Sequence, residues 1–128
     1  MRALNLAAMA AALAGILAAQ PAVAASGEAL YNDNCAACHQ KMGQGVPGAF
    51  PPLKADKLAL GDPKPLAFLM MHGRGGMPAF KDNLSDAELA SVMNYVRAAW
   101  GNKARPLAAS DFARVRTGPP PSTRLQAH

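Results

Sequence analysis

The pentapeptide Cys35-Ala-Ala-Cys38-His39 carries the residues best suited to chemistry. Two thiols at this spacing can each add across a vinyl group on one edge of a porphyrin, and the imidazole that follows is then held beneath the iron. The pattern is that of c-type haem attachment. It predicts one covalent haem c, with thioether bonds from Cys35 and Cys38 and with His39 as an axial ligand of the iron.

Three other uses of the two cysteines compete with haem attachment. A redox dithiol expects a thioredoxin-like βαβ context, and the chain shows only helix and loop patterns. A zinc site needs about four ligands, and the remaining histidines are only His72 and His128. A structural disulfide across so short a loop would gain little from closure. These comparisons favour haem.

The second axial ligand has several candidates beyond residue 25: Met42, Met70, Met71, Met77, Met93 and His72. Two of the methionines fall on apolar helix faces, where methionine usually fills the core. Met77 lies on a loop instead. The glycines of residues 73–76 let the backbone approach a flat macrocycle, and Pro78 fixes the turn that follows. We predict Met77 as the ligand, with Met71, His72 or an open position as the alternatives.

Three helices are predicted to position these residues. The first runs from about residue 26 into the cysteine motif. The second spans residues 62–73, with Asp62 as its N-cap and a proline directly after it. The third spans residues 85–101, where a capping box begins the helix and a glycine ends it. A short amphipathic piece around residues 110–116 indicates a further helix after these three. Residues 42–61 and 72–83 are predicted to form loops, and no alternating apolar run predicts a strand.

The first 25 residues predict a cleaved secretory signal peptide. Arg2 is followed by an apolar run, and Ala22-Val23-Ala24 fits the small-x-small cleavage pattern. The run is shorter than the ~20 residues of a spanning helix. We therefore expect a periplasmic protein with no membrane span after cleavage.

Charge divides the remaining chain into two parts. Residues 26–101 carry seven basic and seven acidic side chains, whereas residues 102–128 carry five basic side chains against Asp111 alone. This asymmetry predicts a haem domain of residues 26–101 and a basic, proline-rich C-terminal tail of residues 102–128 that acts as an interaction arm. Nucleic acid is not an expected partner, because the charge is sparse and lacks interleaved aromatic residues.

Further motifs accompany the cysteine pair: Gly43-x-Gly45, Phe50-Pro-Pro-Leu53, Gly73-x-Gly-Gly-Met-Pro-Ala-Phe80 and Tyr95-Val-Arg-x-x-Trp-Gly-Asn102. With them the chain resembles the class I cytochrome c family, in particular the monohaem cytochrome c subunits of periplasmic dehydrogenases of the sulfite or quinoprotein alcohol dehydrogenase type. The resemblance implies an all-α fold of three to five helices around one covalent haem c. It also implies that the carbonyl of Pro51 or Pro52 accepts a hydrogen bond from Nδ1–H of His39.

Two filled axial positions would leave the iron no place for a substrate, so the expected function is one-electron transfer rather than catalysis. The resemblance implies a periplasmic dehydrogenase catalytic subunit as the electron donor and a downstream cytochrome or oxidase as the acceptor. A freely diffusing shuttle to a terminal oxidase is the first alternative. A ligand-binding or peroxidatic haem protein with an open sixth site is the second.

Overall fold

The computed structural model describes residues 24–118, so most of the predicted signal peptide and the last ten residues of the predicted tail lie outside the described residues. The described chain is all-α, as predicted, and only two isolated bridges, Val46 with Phe50 and Arg74 with Met77, stand outside the helices. The helices are α1 (Gly27–Asn34), α2 (Ala36–His39), α3 (Lys57–Leu60), α4 (Pro63–His72), α5 (Asp86–Ala98) and α6 (Ala109–Thr117). Within residues 24–118 no helix has the length and apolar character needed to cross a membrane.

The predicted helix starts are confirmed by their caps. The Asp62 carboxylate accepts from the Lys64 amide at 2.8 Å, and α4 follows it directly. Ser85 and Glu88 form the reciprocal capping box of α5, with 2.8 Å from the Ser85 amide to the Glu88 carboxylate and 3.2 Å from the Glu88 amide to the Ser85 hydroxyl. Both caps satisfy amides that have no partner within their helix.

Helices α1 and α5 pack closely across each other at one end of the core. The rings of Tyr31 and Tyr95 lie with their centroids 5.4 Å apart at this contact. Gly27 makes the approach possible, because a Cβ atom there would overlap the Ser91 carbonyl oxygen and lie 3.0 Å from Tyr95 Cβ. Only a hydrogen atom fits at this position.

Replacing Gly27 with alanine should lower the free energy of unfolding by about 1–3 kcal/mol, because the two helices must separate to admit the methyl group. Chemical denaturation of the holoprotein measures this loss. Ala29→Ser is the control, because Ala29 is an exposed residue of the same helix and its replacement should change stability by less than about 0.5 kcal/mol. Equal stability of Gly27→Ala and wild type would show that the crossing is looser than described.

The end of α5 differs from the prediction. The helix stops at Ala98, and Trp100 and Gly101 both have positive φ, at 55° and 85°. Leaving the helix turns the indole of Trp100 onto Tyr31 and Tyr95, with centroid distances of 5.1 and 5.7 Å. Packing of the indole therefore decides where the helix ends.

Helix α3 lies within residues 42–61, which were predicted to form a loop. The Asp56 carboxylate caps it by accepting from the Ala59 amide at 2.7 Å. Arg97 of α5, which is 3% exposed, donates to the carbonyls of Ala59 at 2.8 Å and Gly61 at 3.1 Å. A helix of four residues has no apolar period to detect, and its main support comes from a distant side chain.

Residues 102–118 of the predicted tail lie within the described residues and include a helix. The helix expected near residues 110–116 is present as α6, and it packs against α4 and α5. Leu107 and Phe112 are 5% and 0% exposed. Oδ1 of Asn94 accepts from the Leu107 amide at 2.7 Å, and Nδ2 of Asn94 donates to the Leu107 carbonyl at 2.9 Å. The folded unit thus continues through α6, because burial of these apolar side chains outweighs the basic character of the segment.

Candidate haem-attachment site

One helical turn presents the cysteine motif. Helix α1 ends at Asn34, and the Cys35 carbonyl then accepts from the amides of Cys38 at 3.2 Å and His39 at 2.9 Å, which begins α2. Side chains three and four positions apart are neighbours on a helix surface. The two thiols and the imidazole therefore share one side of this turn.

Cys35 and Cys38 form no disulfide, and both are partly buried. Burial, followed by the nearby Cys38, raises the pKa of the Cys35 thiol to about 11. Residues 24–118 contain no group of three or more His, Cys, Asp or Glu side chains that could hold a metal ion by themselves.

The imidazole of His39 is oriented by a backbone carbonyl. The ring is 9% exposed, and Nδ1 lies 2.8 Å from the carbonyl oxygen of Pro51. Because a carbonyl can only accept, Nδ1 carries a hydrogen, and in the neutral ring Nε2 then keeps its lone pair. Between the two predicted prolines, the structure places Pro51 against the ring; within the described residues Pro52 makes no bond to it.

Gly45 allows the Pro51 carbonyl to reach His39. Its amide donates to the His39 carbonyl at 2.9 Å, and its φ is +65°. A Cβ there would overlap the carbonyl oxygen of Phe50 and lie 2.7 Å from that of Pro51. The chain carrying Pro51 therefore passes directly over the Gly45 backbone, an approach that only glycine permits.

Asn102 binds the loop that carries Pro51, at the side away from His39. The prediction placed Asn102 at the start of the tail and gave it no role in the site. Its Oδ1 accepts from the Ala55 amide at 2.9 Å, and its Nδ2 donates to the carbonyls of Leu53 at 3.2 Å and Val96 at 2.8 Å. The side chain is buried with these bonds made. The only signal in the sequence is its place at the end of the Tyr95 to Asn102 motif.

Met77 closes a tight turn after α4. The Arg74 and Met77 backbones exchange two hydrogen bonds, at 3.1 and 3.0 Å. Gly73, with φ of +69°, lies so close that a Cβ would overlap the Met77 carbonyl oxygen. Met77 itself is only partly buried against the edge of the core. The core therefore does not enclose the thioether of Met77.

The other candidate ligands lie in different surroundings. Met70, Met71 and Met93 are 3%, 1% and 4% exposed and belong to the apolar core. Met42 is 58% exposed. His72 is exposed and rests on the ring of Phe68, with centroids 4.3 Å apart. Burial in the core thus sets Met70, Met71 and Met93 apart from the partly buried Met77.

The Tyr31 hydroxyl binds the backbone of the residue that follows the cysteine motif. It donates to the Gln40 carbonyl at 2.7 Å, and Gln40 has a positive φ of 66°. Burial of the ring, with smaller contributions from Cys35 and Tyr95, raises the pKa of Tyr31 well above its ordinary value. The hydrogen bond therefore persists far into the alkaline range.

Tyr31→Phe should cost about 1 kcal/mol of unfolding free energy at neutral pH, since one buried carbonyl loses its partner. Wild type should lose this advantage above about pH 10, where the tyrosine of the unfolded chain ionises while the folded one stays neutral. Denaturation curves measured from neutral pH to pH 11 should converge. A constant difference across that range would contradict the assignment.

Comparisons with known proteins find cytochromes that are similar to this chain. A family model described as "Cytochrome C oxidase, cbb3-type, subunit III" matches residues 22–96. The chain is 39% identical over 112 residues to the cytochrome c subunit of a quinone alcohol dehydrogenase from Gluconobacter oxydans, a match covering 77% of this chain and 23% of that protein. It is 37% identical over 105 residues to cytochrome c-552 of Thermus thermophilus, covering 70% and 68%.

Among solved structures, cytochrome c6 of Phaeodactylum tricornutum is 42% identical, with 56% of this chain and 87% of that chain covered and a TM-score of 0.47. The chain spans about a quarter of the length of the dehydrogenase subunits it matches. It spans most of the length of the small cytochromes.

Haem c fits the residues present. Two unpaired thiols and an imidazole share one turn, and Nε2 of that imidazole has no hydrogen-bond partner among residues 24–118. A buried Nδ1–H fixed by a carbonyl is the usual support of a metal-binding histidine. The chain therefore belongs to the cytochrome c family, whose members carry covalently bound haem c, with a domain of the type found in subunit III of cbb3-type cytochrome c oxidase.

Proposed function

We propose that this chain is a monohaem electron-transfer cytochrome, with Cys35 and Cys38 as thioether anchors and with His39 and Met77 as the axial ligands. When bound, haem c supplies a one-electron couple between ferric and ferrous iron. The observation that carries the proposal is the His39 ring, which Pro51 holds at 2.8 Å with Nε2 left free. Met77 is the proposed second ligand, because it lies on a turn after α4 and is only partly buried against the core.

The surrounding side chains favour a comparatively high reduction potential. A thioether ligand stabilises the reduced iron more than a second imidazole would. Leu66, Val92 and Val96 are 3%, 0% and 1% exposed and belong to the apolar core. A haem packed on this core would have surroundings that disfavour the extra charge of the ferric state. The hydrogen bond to Pro51 acts in the opposite direction, because it makes the His39 ring a stronger donor. The potential reflects the balance of these effects.

The proposed setting is the periplasm, in association with a dehydrogenase that supplies the electrons. Residues 1–25 have the pattern of a cleaved signal peptide. Several relatives are named as cytochrome c subunits of quinone alcohol dehydrogenase or gluconate 2-dehydrogenase. A catalytic subunit of this class is therefore the proposed donor, and a cytochrome or oxidase is the proposed acceptor.

The described part of the tail offers less free charge for docking than the sequence indicated. Arg114 pairs with Asp111 on its own helix, and Arg116 pairs with Asp86 at the start of α5. Arginines engaged in this way contribute little to an interaction arm. Any docking role is therefore better assigned to the exposed Lys103 and Arg105, to residues 119–128 or to the surface near the cysteine motif.

A diffusible shuttle is the second candidate. It is favoured by the match to small cytochromes over most of their length, 68% for cytochrome c-552 and 88% for cytochrome c6 of Leptolyngbya boryana. Such a carrier would exchange electrons with its partners through brief encounters. It would not remain bound to a dehydrogenase.

One experiment separates the candidates. The native periplasmic and membrane fractions are resolved by size-exclusion chromatography at low and moderate salt. Haem-stained protein is then followed beside alcohol and gluconate dehydrogenase activity. Co-elution with either activity, together with haem reduction on addition of that substrate, is the expected result. A variant ending at Gly118 tests the last ten residues without removing α6.

Three results would change the proposal. Elution as a small monomer at every salt concentration, with haem reduction that still depends on substrate, would favour the shuttle. Rapid binding of carbon monoxide by the reduced wild-type protein at neutral pH would favour the open sixth site. Redox titration with other than one electron per haem would contradict electron transfer by a single haem.

A further inference from the structure

Arg116 connects α6 to the segment that follows the Met77 turn. Its Nε lies 2.9 Å from the Asp86 carboxylate, and its two terminal nitrogens donate to the carbonyls of Lys81 and Leu84. One planar guanidinium therefore binds three acceptors within six residues of chain. Arginine is suited to this arrangement because its donors form a rigid fork.

The bound segment continues directly from the proposed ligand. Phe80 lies three residues after Met77, and its amide donates to the Met70 carbonyl of α4 at 2.9 Å. The Leu84 amide then donates to the Phe80 carbonyl at 2.9 Å, and both side chains are buried. Residues 77–86 are thus held to α4 at one end and to α6 at the other.

Helix α6 is a firm support for Arg116. Phe112 is fully buried, and Val115 packs against the core. The Asp111 carboxylate accepts from the Ala108 amide at 2.9 Å, which caps the start of the helix. The Arg116 side chain is 32% exposed and that of Asp86 25%, so the pair is partly shielded from water.

We infer that Arg116 is a positioning residue for the Met77 loop: by holding residues 81–86 on α6, it opposes the opening that would take the thioether away from the iron. This inference rests on the proposed role of Met77 as axial ligand. Loops of this kind open locally, well below the free energy of global unfolding. Loss of the three bonds of Arg116 should therefore raise the population of the open state.

Binding of imidazole to the ferric holoprotein reports the opening, because imidazole can reach the iron only after Met77 leaves. Arg116→Ala should increase the observed binding rate about tenfold, in line with the loss of roughly 1–2 kcal/mol of local stability. Arg116→Lys keeps the charge but not the fork, and an intermediate rate is expected. Asp86→Asn keeps both carbonyl bonds and should have a smaller effect than Arg116→Ala.

Arg114→Ala is the matched control. Arg114 lies on the same helix and pairs with Asp111, so its removal takes away an arginine and an ion pair without touching residues 81–86. Its imidazole rate should equal that of wild type. Global unfolding free energies of all variants are measured beside the rates, because a purely structural role would lower the global value and leave the imidazole rate unchanged.

Two outcomes overturn the inference: an Arg116→Ala rate equal to that of wild type, or an equal acceleration by Arg114→Ala. Failure of the underlying assignment looks different. If wild-type and Met77→Ala proteins bind imidazole at the same rate, Met77 is not the ligand, and the proposed function loses its second axial residue. The two failures are therefore distinguishable in one set of measurements.

Discussion

Replacing Met77 with alanine is expected to abolish the far-red charge-transfer band of the ferric holoprotein and to let the ferrous haem bind carbon monoxide. Both changes follow from loss of the thioether, since the turn of residues 74–77 offers no other sulfur ligand. The reduction potential should fall by on the order of 100 mV, because methionine ligation favours the reduced iron. Optical spectra and a redox titration measure the three effects together.

Met71→Leu is the control for this substitution. Met71 is 1% exposed within the core, so its replacement by leucine conserves volume and should cost less than about 1.5 kcal/mol. The band and the potential should remain those of wild type. Persistence of the band in Met77→Ala, or its disappearance in Met71→Leu, would move the ligand to the end of α4.

Gly45→Ala should lower the free energy of unfolding by about 2–4 kcal/mol, which combines backbone strain with steric overlap. The positive φ of Gly45 disfavours any L side chain, and the new methyl group would press on the carbonyls of Phe50 and Pro51. Displacement of Pro51 would also weaken its bond to His39. A less basic imidazole stabilises ferric iron less, so the potential should rise.

Gly48→Ala is the control that measures the cost of backbone strain without steric overlap. Gly48 has φ of +77°, similar to that of Gly45, but a Cβ there meets nothing within 4 Å. Its loss should be about 1–2 kcal/mol from the backbone alone, with an unchanged potential. Equal losses in the two variants, measured by chemical denaturation, would show that Gly45 serves only its own turn and does not position Pro51.

The predictable part of the fold is the part specified by neighbouring residues. The capping residues Asp62 and Ser85 marked the starts of α4 and α5, because a cap is a hydrogen bond made within a few positions. The helix in the tail was also visible from its amphipathic pattern. Its burial was not, since the positive charge of residues 102–128 gave the stronger signal.

The unpredicted part depends on contacts between distant residues. Helix α3 relies on Arg97, which lies 38 residues from Ala59. The end of α5 is set by the indole of Trp100, which packs onto Tyr31 of α1. Neither contact leaves a periodic trace in the sequence, so pattern analysis extended α5 too far and read α3 as loop.

The sequence by itself predicted thioether attachment at Cys35 and Cys38 and ligation by His39, because both need only a local spacing within one helical turn. It also restricted the second axial ligand to a few side chains. The tertiary structure decided that Pro51 rather than Pro52 meets His39, and that Asn102 holds the same loop. These choices depend on satisfying buried polar groups with partners far along the chain, and only the folded backbone brings such partners together.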